Sequence, residues 1–114
     1  MSIPELVKQR AERKPAAVCD QRIPRNIRHQ LKLTYGFRGD CLTLYEERVS
    51  FFDPNQWTKR PIAQFRFDTH SNEWSLYCAN RNQKWLVYAD LQPTLDLDEL
   101  VAAVDQDPTG IFWG

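Results

Sequence analysis

The chain has 114 residues, the size of one ordinary domain, and its 42% hydrophobic and 12% aromatic content supplies a core that a disordered chain lacks. Fifteen basic residues balance fifteen acidic ones, which excludes a global field for nucleic acid or an anionic membrane and leaves only local patches. No apolar run reaches the roughly twenty residues that span a bilayer, and Met1 to Arg13 has no continuous apolar stretch of the signal-peptide kind, so a cytoplasmic protein is expected.

In chain order, Ser2 and Glu5 stand at capping-box spacing with Pro4 in the first turn, so a helix begins there. Leu6, Val7, Ala11, Ala17, Val18 and Cys19 form its apolar side, with a kink or break at Pro15 and an end before Pro24. One helical turn is expected over Arg25 to His29. Leu31, Leu33, Tyr35 and Phe37 then alternate with polar residues as a half-buried strand. Gly39-Asp40 turns the chain into a second arm, Cys41 to Phe52, where a shift of parity predicts a bulge near Glu46 to Arg48. Asp53, Pro54 and Asn55 open a loop expected to run through Trp57 and Lys59 to Pro61. Ala63, Phe65 and Phe67 make a third strand, Trp74, Leu76 and Cys78 a fourth, and Trp85 and Val87 a fifth, with turns at Ser71-Asn72 and Asn80 to Gln83. Leu97, Leu100, Val101 and Val104 mark a last helix over Asp96 to Asp105, with Thr94 or Asp96 as N-cap. Asp107-Pro108-Thr109-Gly110 turns the chain, and the apolar end that follows is expected to be docked.

These elements predict one α+β domain over residues 1–114: an N-terminal helix, a five-stranded antiparallel meander and a C-terminal helix, with the helices on one face. Chemistry-bearing patterns are few. His29 and His70 stand far apart without paired cysteines, so no metal site is expected, and Cys19, Cys41 and Cys78 read as buried thiols. Gly36, Gly39, Gly110 and Gly114 build no phosphate loop, and no cofactor is implied. Asp40, Glu46, Glu47 and Arg48 could form a metal-dependent nuclease-like constellation, but arginine replaces the usual lysine, and charges on an edge strand explain the same residues.

Aromatic and basic residues give the leading functional reading. With Trp74, Leu76, Trp85 and Val87 toward the helices, Tyr77 and Tyr88 would share the opposite face with Arg66, Gln64 and Lys84, helped by Trp57, as a platform for a protein or for single-stranded nucleic acid. A basic patch of Arg22, Arg25, Arg28 and Lys32 is a second candidate, balanced by acids between Asp96 and Asp107. The expected function is a non-catalytic binding module, with a nuclease-like hydrolase or a single-stranded nucleic-acid binder as alternatives and a protein partner, homodimer or nucleic acid as its partner.

The landmarks Cys19-x-x-Arg22-Ile23-Pro24, Leu44-Tyr45-Glu46-x-Arg48, Pro61-Ile62-Ala63-x-Phe65-Arg66, Trp74-x-Leu76-Tyr77 and Lys84-Trp85-x-x-Tyr88 lead to a closing Asp105-x-Asp107-Pro108-Thr109-Gly110-Ile111-Phe112-Trp113-Gly114. Together they resemble the bacterial family called domain of unknown function 3024 over nearly the whole chain. The resemblance implies a small stand-alone bacterial protein and carries no activity. Pro15 departs from the continuous first helix of that family.

Overall fold

The computed structural model describes residues 3–113. Ser2, the expected capping residue, lies outside them; the first helix, α1 (Glu5–Ala11), starts after Pro4, which gives no side-chain cap. It meets α2 (Arg13–Arg22) at Glu12 rather than at Pro15. A proline ring crowds the carbonyl four residues before it, and for Pro15 that carbonyl belongs to Ala11, where α1 ends. Leu6, expected on the apolar side, is 71% exposed, whereas Ala11 and Val18 are buried. Glu12 itself keeps right-handed helical dihedrals, φ −66° and ψ −29°, and its carbonyl accepts from the Ala16 amide.

After a 3-10 turn at Arg25–Ile27, five strands follow in the spatial order of the sequence: β1 (Leu31–Arg38), β2 (Cys41–Val49), β3 (Trp57–Asp68), β4 (Glu73–Ala79) and β5 (Trp85–Val87), all antiparallel. Gly39 makes the β1–β2 turn at φ +60°, a left-handed conformation that glycine adopts at no steric cost. The expected bulge near Glu46 to Arg48 is instead a register shift at Leu44/Tyr45, where β2 pairs Leu44 with Ala63 and Tyr45 with Pro61. The extra residue is Ile62 of β3, so β2 itself alternates without interruption and Val49 falls on the face opposite Leu42 and Leu44.

Trp57 to Pro61, expected as loop, are the first residues of β3, paired with the end of β2. Twelve residues at about 3.3 Å each make β3 roughly 40 Å long, most of the 45 Å longest dimension. Because β4 pairs only with Ala63 to Asp68, the far half of the β2–β3 hairpin projects past it as an arm. The arm ends in a loop closed by the Ser50 amide donating to the Gln56 carbonyl at 2.7 Å, with Phe51 and Phe52 at 95% and 93% exposure.

The helices cover one face. There Leu42, Leu44, Ala63, Phe65, Leu76 and Cys78 pack with Leu97, Leu100, Val101 and Val104 of α3 (Leu97–Gln106) in one contiguous core. Asp96 caps α3 by accepting from the Asp98 amide, while Thr94 pairs with Trp74 as an isolated bridge. Trp85 and Val87, expected under the helices, face the other way: the register pairs Ala79 with Trp85 and Tyr77 with Val87. Tyr88 is consequently on the helix side, buried, with its ring 5.3 Å from that of Phe112. The Asn80 to Lys84 turn, with Gln83 at φ +60°, sets this parity.

Candidate binding surface

The sheet face away from the helices carries the candidate site, and alternation decides which side chains reach it. Lys32, Thr34, Gly36 and Arg38 of β1, Thr43, Tyr45 and Glu47 of β2, Trp57, Lys59, Gln64 and Arg66 of β3, and Tyr77 of β4 share that face by register. Three cations lie over three rings on it: Lys32 Nζ 4.5 Å from the Trp57 ring, Lys59 Nζ 4.1 Å from Tyr45, and Arg66 Cζ 3.9 Å from Tyr77. Lys59 stands opposite Glu47 and Arg66 stands in line with Gln64, the partner of Tyr77, so both reach their rings on the diagonal. Such pairs at exposed sites are worth about 0.5–1 kcal/mol each, which leaves rings that a ligand can uncover at little cost.

Beside the Lys59–Tyr45 pair lies a trough of about 680 Å³ lined by Gly36, Thr43 and Gln64 together with Tyr45, Lys59, Arg38 and Trp85. A Cβ placed on Gly36 would meet nothing within 4 Å, so the missing side chain there is open space rather than a packing need. A relay crosses the floor: Arg66 Nε donates to Gln64 Oε1 at 2.7 Å, and Gln64 Nε2 donates to Thr43 Oγ1 at 3.1 Å. These bonds fix the polar groups, and the Thr43 hydroxyl keeps its own proton to offer.

Of the sequence-predicted residues, Tyr77 and Arg66 come together on this face and Trp57 shares it further along β3, where Tyr45, Lys59 and Gly36 also lie on it. Their signal was alternation read through to β3, which the expected loop at Trp57 to Pro61 concealed. Tyr88 is core, a correction that follows from the β5 parity. Lys84 ends the β4–β5 turn, where its amide donates to Asn80 Oδ1. The basic patch is divided. Arg22 Nη1 donates to the carbonyl and Oδ1 of Asp105, Arg28 pairs with Asp20 and the Ile23 carbonyl, Arg25 is exposed on the 3-10 turn, and Lys32 belongs to the trough face.

The acidic constellation is divided too. Glu46 and Glu47 are consecutive and therefore point to opposite faces: Glu46 is buried on the helix side, bonded by Arg48 Nε at 2.7 Å with Arg60 at 3.6 Å, while Glu47 accepts from the Thr34 hydroxyl at 2.7 Å on the trough face. Arg48 is held above its usual range, chiefly by its hydrogen bond to Glu46. Asp40 sits in the turn at the other end of β2. Their strand is not an edge, since β1 and β3 flank it. Among the described residues no three His, Cys, Asp or Glu side chains are grouped to hold a metal ion.

Burial pushes the Cys19 thiol from 9.0 up to about 11, and burial also raises Cys41 and Cys78. A thiol shifted this way stabilises the fold while protonated, fully below pH 9.0 and less as pH rises through about 11. Native Cys19 is therefore expected to resist iodoacetamide at pH 7.5 and to react as the pH approaches 11; faster labelling than a free thiol at pH 7.5, followed by mass spectrometry, would contradict this environment.

An α+β chain with one covered and one uncovered sheet face, the latter aromatic and basic, is the class of protein that fold and site define. The chain belongs to the family described as Domain of unknown function (DUF3024), whose model matches residues 3–114. No curated protein and no solved structure matches it. Among the described residues no helix is long and apolar enough to cross a membrane.

Proposed function

We propose that the protein is a non-catalytic binding module that takes its ligand on the uncovered face of the sheet. The observation that carries this reading is the set of three cation-covered rings, one of them, Tyr45 under Lys59, bordering an open trough, on a face that none of the described helices packs against. Aromatic rings half-exposed beside cations serve recognition better than packing, because each ring offers a flat apolar face and each cation a charge that can move to the ligand. The thiols, raised rather than lowered, supply no activated nucleophile beside the trough, which favours binding over covalent chemistry.

A photoreactive phenylalanine analogue in place of Tyr77, compared in cells with the same analogue at exposed Gln21 of α2, tests the assignment. Adducts are expected from position 77 and not from position 21. Equal or absent labelling from position 77 would remove the uncovered face as the binding surface.

A further inference from the structure

Resting on the binding-module reading, we infer that the ligand of this face is a single-stranded nucleic acid, running from Trp57 to Tyr45 and turning there across β3 to Tyr77, with one base in the trough. Three observations converge on it: ring spacing, charge and the floor of the trough.

Strand geometry puts Tyr45 roughly 14 Å from Trp57 and roughly 12 Å from Tyr77, counting about 3.3 Å per residue along a strand and about 4.8 Å between strands. Bases in a duplex stack 3.4 Å apart along each strand, so a duplex cannot place successive bases on these rings. An extended, unstacked strand reaches them with alternate bases, and each ring offers such a base a stacking partner.

Charge on this face is local and mainly positive along that path. Lys32, Lys59, Arg66 and Arg38 line it, and the one carboxylate among them, Glu47, stands between Lys32 and Lys59 in register and accepts from the Thr34 hydroxyl. The remaining carboxylates of the face, Asp68 and Glu73, pair with each other in register beside the β3–β4 turn. Asp68 is held below its usual range by the His70 and Ser71 amides and so stays anionic. They bound the path at one end and leave the positive stretch between Arg66 and the β2–β3 arm. A chain with no net charge has thus collected cations where the rings are.

The floor supplies the third element. Gly36 leaves room for a planar group, and Thr43 and Gln64 present hydrogen-bonding atoms beside it. When a base enters, the cation that sits on each ring is free to swing to the neighbouring phosphate, exchanging a weak contact with the ring for one with a formal charge.

The test uses dye-labelled twelve-nucleotide RNA and DNA strands, and the matching DNA duplex, in fluorescence anisotropy with the full chain. Saturable binding of a single strand is expected, with the duplex at least tenfold weaker. With about three phosphates contacted, affinity should fall roughly twentyfold between 50 and 200 mM salt. Gly36→Val is the decisive variant: its new side chain enters open space on a strand, so the melting temperature should hold while affinity drops at least tenfold. Binding equal for duplex and single strand, or unaffected by Gly36→Val in a folded protein, would overturn the inference. Protein adducts from position 77 without strand binding would overturn the nucleic-acid ligand and keep the binding module. Failure of both experiments would remove both.

Discussion

Asp107→Ala is expected to lower the stability of the protein by about 3 kcal/mol, roughly 10–15 °C in melting temperature for a chain of this size. Asp107 ends α3 in the left-handed conformation, φ 45°, its amide donating to the Ala103 carbonyl. Its carboxylate then holds the returning chain, Oδ1 accepting from the Phe112 amide at 3.1 Å and Oδ2 from the Trp113 amide at 2.9 Å. Hydrogen bonds to a charged acceptor contribute about 1.5–3 kcal/mol each where water is excluded, and the half-buried site reduces that. Alanine removes both bonds and tolerates the backbone poorly.

The held segment closes the core. Phe112 is buried against Tyr88, the Trp113 indole donates to the Val104 carbonyl at 2.7 Å, and Arg22 lies 4.0 Å over the Trp113 ring while bonding Asp105. One of the last free carbonyls of α3 thereby gains a partner that the helix itself cannot provide. Asp107→Gly separates the contributions: it restores the backbone and still lacks both acceptors, so it should recover only part of the loss. Asp107→Asn, which keeps one acceptor and accepts the left-handed conformation, should fall between Gly and wild type. Denaturant melts decide it, and an alanine variant as stable as wild type would show that the closing run is not anchored by this side chain.

That closing run shows what the sequence made legible and what it hid. An apolar end after a turn implies docking, and the end is docked; that an aspartate side chain does the holding has no periodic signal, because a cap depends on where one carboxylate points. Strand number and order were legible because β1 and β4 alternate cleanly with one face in the core, as Leu33 and Phe37, then Trp74, Leu76 and Cys78, show. The start of β3 was hidden because Trp57 to Arg60 are exposed, Thr58-Lys59-Arg60 carry no apolar alternation, and Pro61 is a poor strand residue. Those residues pair with β2 on an arm with little core beneath it, so hydrogen bonding, not burial, defines them. The candidate surface was half legible for the same reason: Tyr77 and Arg66 lie on clean strands, whereas Tyr45 with Lys59 and Lys32 with Trp57 become neighbours only once the arm's register is known.

The tyrosines of β4 and of the residue after β5 should part company on substitution. Tyr88→Ala is expected to cost about 3–5 kcal/mol, because a buried ring leaves a cavity, and the Phe112 partner loses a contact worth about 0.5–1.5 kcal/mol of that. Tyr77→Ala should cost under about 1 kcal/mol, since it removes a half-buried ring on the uncovered face and one exposed cation contact. The parity that separates them comes from a single turn: had Asn80 to Lys84 held one residue fewer, Tyr88 would share the face of Tyr77 and Trp85 would leave it. Tyr88→Phe keeps the ring and should leave both stability and strand binding near wild type, whereas Tyr77→Ala should keep the fold and weaken binding. Chemical denaturation of the three variants beside anisotropy with the single strand measures both axes, and a Tyr77→Ala protein that melts like Tyr88→Ala would place Tyr77 in the core and leave the uncovered face without its best-placed ring.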